Sequence, residues 1–104
     1  MLEILTSSGA TTVAVVGDLD VTVRDQFPEV TLRVATLGKH LLVLDLCRPG
    51  LLDCTGAAFV ATVAERTRRA GGIALLRGAE ERRVRAGHLR RAGAFRVDDG
   101  HRCA

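Results

Sequence analysis

Apolar residues fall along this chain in short blocks, and their spacing changes from one block to the next. Leu2–Leu5 alternates weakly and predicts a short edge strand, and Ser7-Ser8-Gly9 reads as a turn. Thr12–Val16 is β-branched and apolar and predicts a strand, broken by Gly17-Asp18-Leu19-Asp20. Over Val21–Leu37 the apolar positions become Val23, Phe27, Val30, Val34 and Leu37, steps of three and four that fit one helix face. Thr22 is placed to cap that helix, with Asp25 in its first turn. Pro28 inside the span predicts a late start or an irregular first turn.

His40–Leu46 is apolar on both faces and predicts a central strand. After Arg48-Pro49-Gly50 a second helix is expected, with Phe59, Val60, Val63 and Ala64 inward and Glu65, Arg66, Arg68 and Arg69 outward. Gly71-Gly72 stops it. Ile73–Leu76 predicts a short buried strand. Glu80–Arg91 predicts a third helix with Val84 and Leu89 toward the core and Gly93 as its stop. Ala94–Val97 predicts a last short strand, and residues 98–104 form a polar tail. The expected fold class is α/β: a single domain over 1–104, core about 11–97, with helices packed on a mixed sheet of about four to five strands.

Composition narrows the picture. A chain of 104 residues supports one core and not two. With 47% hydrophobic and 26% charged residues it reads as a soluble globular protein. Its apolar runs are too short for a bilayer and it shows no signal peptide, so the expectation is a cytoplasmic protein with no membrane contact. Cys47, Cys54 and Cys103 make an odd count without metal-site spacing, which predicts reduced thiols and no metal. The net charge is +3, Lys39 is the only lysine, and the arginines alternate with acids on helix faces. Phe27, Phe59 and Phe95 are too few for a base-stacking platform, so direct nucleic-acid binding is not expected. His40, His88 and His101 are scattered, and no Walker-type loop is present. Neither a catalytic set nor a cofactor is read from these residues, and the chain is not expected to be an enzyme.

The candidate chemistry lies in Asp53-Cys54-Thr55-Gly56, where a strand–loop unit becomes a helix. Asp53 reads as the N-cap. Thr55 places a hydroxyl where free N–H groups and the helix dipole favour an anion. A phosphate there changes surface charge greatly with little structural damage. Gly56 allows close backbone approach. Asp18 and Asp20 serve the earlier turn and the start of the following helix.

In order and spacing, these motifs resemble the STAS domain of bacterial anti-sigma-factor antagonists. The residues concerned are Gly17-Asp18-Leu19-Asp20, Leu44-Asp45-Leu46, Asp53-Cys54-Thr55-Gly56, Gly71-Gly72 before Ile73–Leu76, and Leu89 to Gly93. The resemblance covers about residues 11–97. It implies a phosphorylation switch in stress-response transcription. The unmodified antagonist binds an anti-sigma factor, a serine/threonine kinase of the histidine-kinase-like ATPase type, and frees a sigma factor. The kinase phosphorylates the position of Thr55, the complex parts, and a phosphatase resets it. Asp18, Asp20, Asp53, Cys54, Thr55, Gly56 and Ala57 stand at the implied partner-binding positions. The chain departs from the family pattern at Cys54 and Thr55, which replace serines, at Arg48-Pro49-Gly50, and at Ala57-Ala58. The alternative reading is a non-catalytic STAS scaffold or interaction module in a signalling complex.

Overall fold

Side chains alternate across an extended backbone, so Thr11, Val13 and Val15 share one face of their strand. All three are buried on that face. The computed structural model describes residues 1–48 and 50–78, and the backbone of 96–97. Within these residues the chain runs β1 (Leu2–Thr6), β2 (Ala10–Val15), a 3₁₀ segment (Val21–Gln26), α1 (Phe27–Leu37), β3 (Leu41–Asp45), α2 (Cys54–Arg69), β4 (Ile73–Arg77) and β5 (Arg96–Val97). The strands lie side by side in chain order, β1 to β5. β1 and β2 form an antiparallel hairpin, and every later pairing is parallel. Four strands of five or six residues carry this mixed sheet, with the two-residue β5 at its edge. The α/β expectation holds.

One face of the sheet carries Val13, Val15, Leu42, Leu44, Ala74 and Leu76 into a core shared with Val30, Phe59, Val60 and Val63. β3 is central, and three of its five residues are buried, as its continuous apolar run predicts. Fully burying such a leucine or valine is worth about 1.5–3 kcal/mol. The inward face of α2 is the expected one: Phe59, Val60, Val63 and Ala64 are all buried. Phe27 and Phe59 stack with ring centroids 4.1 Å apart, which ties α1 to α2.

Three expectations need correction. Asp20, not Thr22, caps the segment after β2: its carboxylate accepts from the Thr22 N–H at 3.0 Å. The late, irregular start that Pro28 predicts is found: a 3₁₀ segment precedes α1, with Pro28 in the first turn of α1, where its missing N–H costs nothing. Leu37 is 37% exposed and does not join the core, because Gly38 turns the chain into the left-handed region (φ 59°) and ends the helix there. The thiol expectation also changes. Cys47 is disulfide-bonded, whereas Cys54 is a free, exposed thiol.

Among the described residues no helix is long and apolar enough to cross a membrane. The expected third helix with Val84 and Leu89, the stop at Gly93, His88, His101 and the polar tail lie outside the described residues.

Candidate functional site: two loops joined at the start of α2

β2 and β3 are parallel neighbours, so the loops that follow them emerge at the same edge of the sheet. The chain fastens these loops together. Leu19 donates its N–H to the Leu51 carbonyl at 2.8 Å, and Asp53 donates its N–H to the Leu19 carbonyl at 3.4 Å. Leu19 and Leu52 thereby form a one-residue parallel bridge. Both side chains are fully buried beneath it.

Carboxylates complete the junction. Asp18 Oδ1 accepts from the Leu51 N–H at 2.8 Å. Asp53 spans two elements: Oδ1 accepts from the Gly56 N–H at 2.8 Å, and Oδ2 accepts from the Val21 N–H at 3.3 Å. One side chain therefore caps α2 and holds the start of the 3₁₀ segment. Asp20 also takes the Thr22 hydroxyl, and Asp45 Oδ1 accepts from the Cys47 N–H at 2.9 Å. Three carboxylates, Asp18, Asp20 and Asp53, thus gather at this edge, and each has a backbone N–H to accept.

Gly56 is required by close approach. A Cβ there would lie 2.1 Å from the Leu19 carbonyl oxygen and 2.9 Å from Leu19 Cγ. Any side chain at this position would wedge the two loops apart.

The residues read as partner-binding do not all face outward. Asp18 and Cys54 are exposed, and Asp20, Asp53 and Thr55 are half-buried. Gly56 and Ala57 are buried, and Ala57 packs in the core. Their side of α2 faces the sheet, and Ala58 is the exposed neighbour. Two further apolar residues stand at the same edge. Val21 is 50% exposed and Leu51 is 45% exposed. The signal for Leu51 was the pair Leu51-Leu52: adjacent residues of an extended segment face opposite ways, so one leucine had to point out.

Thr55 is the second residue of α2, after the Asp53 cap. It also borders an open groove of about 550 Å³ between α1 and α2, shared with Arg24, Phe27, Pro28, Leu32 and Ala58. Leu32 is 67% exposed there. Among the described residues no group of three or more His, Cys, Asp or Glu side chains is placed to hold a metal ion. A scan against protein-family models and a search of curated proteins return no match for this chain.

Proposed function

We propose that this chain is an anti-sigma-factor antagonist of the STAS type. In this reading its unmodified form docks on an anti-sigma factor through the joined loops and the start of α2, and releases a sigma factor. Phosphorylation of Thr55 ends the docking, and a phosphatase restores it. The chemistry belongs to the partner kinase, and this chain acts as the binding module and substrate.

The observation that supports the reading best is the junction itself. Asp18 and Asp53 come from two segments far apart in sequence and fasten the two loops together at one sheet edge, and Thr55 follows in the first turn of α2. Exposed Val21 and Leu51 give that edge an apolar component. Such a mixture suits a docking surface. A phosphate on Thr55 lies at the positive end of a 16-residue helix, which tolerates it. It also adds about −1.5 to −2 charges to a helix start that carries the Asp53 carboxylate two residues earlier. A partner surface shaped for a neutral hydroxyl then has to desolvate a concentrated anion, and each 1.4 kcal/mol lost is about tenfold in affinity. The role belongs in the cytoplasm, where a disulfide at Cys47 is under reductive load.

The test is phosphosite mapping. The chain is incubated with its cognate anti-sigma kinase and ATP, and the modified peptide is identified. Phosphate on Thr55 supports the proposal. Phosphate on Ser7, Ser8 or Thr62 with Thr55 bare, or no phosphate at all, favours the scaffold reading instead.

A further inference from the structure

A second cavity adjoins the groove beside Thr55 and shares Thr31, Ala35 and Arg66 with it. It sits between the last turns of α1 and α2, over the first residues of β2 and β3, and holds about 270 Å³. That is just below the ~300–1,000 Å³ of ordinary small-molecule sites, so it suits a small ligand. Val34, Leu42 and Val63 give it apolar walls.

Two observations mark it as more than a packing gap. Thr11 forms part of its wall, is 2% exposed, and has a hydroxyl with no hydrogen-bond partner. Buried hydroxyls are nearly always paired, and valine would fill this strand position without leaving a polar atom unsatisfied. The charge is also one-sided. Lys39 and Arg66 border the cavity, and among the described residues no Asp or Glu does. Of the three arginines in the last turn of α2, Arg68 and Arg69 pair with Glu65, while exposed Arg66 borders both this cavity and the groove beside Thr55.

The helix ends set the counter-charge. The C-termini of α1 and α2 each contribute about −0.5, against two full positive charges, so the balance is about +1. Gly38 and Ala70, the C-caps of the two helices, both line the cavity, and their N–H groups already satisfy the Val34 and Arg66 carbonyls. Lys39 and Arg66 thus leave a net positive charge at the cavity. We propose that this cavity binds a small amphipathic anion: a carboxylate paired with Lys39 and Arg66, carried on a short body that packs against the apolar wall and offers a polar atom to Thr11.

The test uses the whole ¹⁵N-labelled chain, titrated with hexanoate and separately with hexan-1-ol, which has the same apolar body without the charge. Hexanoate is expected to give saturable shifts at Thr11, Gly38, Lys39 and Gly72, with hexan-1-ol weaker by about tenfold or more. The Lys39→Ala, Arg66→Gln double variant is expected to lose about tenfold in hexanoate affinity. Thr11→Val is expected to raise the melting temperature of the free protein and also to weaken binding of a hydroxylated analogue, 4-hydroxyhexanoate. No saturable shift, equal binding of hexan-1-ol, or undiminished binding by the double variant overturns the proposal. A lower melting temperature for Thr11→Val does so too, since it means the hydroxyl is already satisfied.

Discussion

Leu19 and Leu52 pair across two loops as a single parallel bridge, and neither side chain is exposed. The bridge turns two separate connections into one surface, and Asp18, Asp53 and Gly56 all serve it.

Gly56→Ala tests that junction. Alanine is worth about 1 kcal/mol over glycine in a helix interior, so an unobstructed site would gain stability. Here the added Cβ lies 2.1 Å from backbone oxygen, which cannot swing aside as a side chain can. Overpacking of this kind costs about 1–3 kcal/mol, and a backbone contact belongs at the upper end. The expected net result is a loss of about 1–2 kcal/mol, read as a lower melting temperature. A higher melting temperature would mean that the loops are not in contact at Gly56.

Asp53 has two duties, and two substitutions separate them. Asp53→Ala removes the cap of α2 and the acceptor for Val21, and is expected to cost about 0.5–2 kcal/mol in urea denaturation. Asp53→Asn keeps an oxygen for the Gly56 N–H but turns an NH₂ group toward the Val21 N–H. Its expected loss is smaller than that of alanine but measurable. Equal stability of wild type and Asp53→Ala would remove the junction role.

Much of this was legible in the sequence, because it is local. The α2 face follows from the spacing of Phe59, Val60, Val63 and Ala64, and the Asp53 cap follows from residue type and position. The alternation of β2, α1, β3, α2 and β4 follows from apolar runs and glycine stops. What the sequence hid was non-local. The Asp18–Leu51 bond joins residues 33 apart, and no periodicity reports it. Thr22 was misread as a cap because Asp20, two residues earlier, fits the same rule better once the chain turns. The inward turn of Ala57 depends on how α2 seats on the sheet. Cys47 shows the limit of counting: an odd number of cysteines says one thiol is left over, not that all are free.

The disulfide at Cys47 has a direct consequence for stability. Disulfides typically contribute about 2–4 kcal/mol by restricting the unfolded chain. Reductant is expected to lower the melting temperature by several degrees, and Cys47→Ser to do the same without reductant. Cys54→Ser is expected to change neither value, since that thiol is free. A melt indifferent to reductant would contradict the bond.

The charged face of α2 gives a pH signature. A hydrogen bond from Arg68 holds the Glu65 carboxyl below its usual range; partial burial opposes this, and Arg69 adds to the lowering. A carboxyl with a depressed folded-state pKa stabilises above the ordinary glutamate value of about 4.3, and loses that contribution as pH falls through the depressed value. Glu65→Gln is therefore expected to melt slightly below wild type at neutral pH and to match it in strong acid. The difference is small, because exposed ion pairs contribute little. A gap that widens as pH falls would reverse the assignment.

The proposed switch at Thr55 is tested most directly by calorimetric titration of the proposed anti-sigma-factor partner with unmodified chain, Thr55-phosphorylated chain, and the variants Thr55→Ala and Thr55→Glu. Unmodified chain and Thr55→Ala are expected to bind alike. Phosphorylated chain is expected to bind at least about a hundredfold more weakly, a loss of about 2.8 kcal/mol. Thr55→Glu should fall between them, since one carboxylate lacks the charge and third oxygen of a phosphate. Binding of the phosphorylated chain as tight as that of the unmodified one would contradict the account.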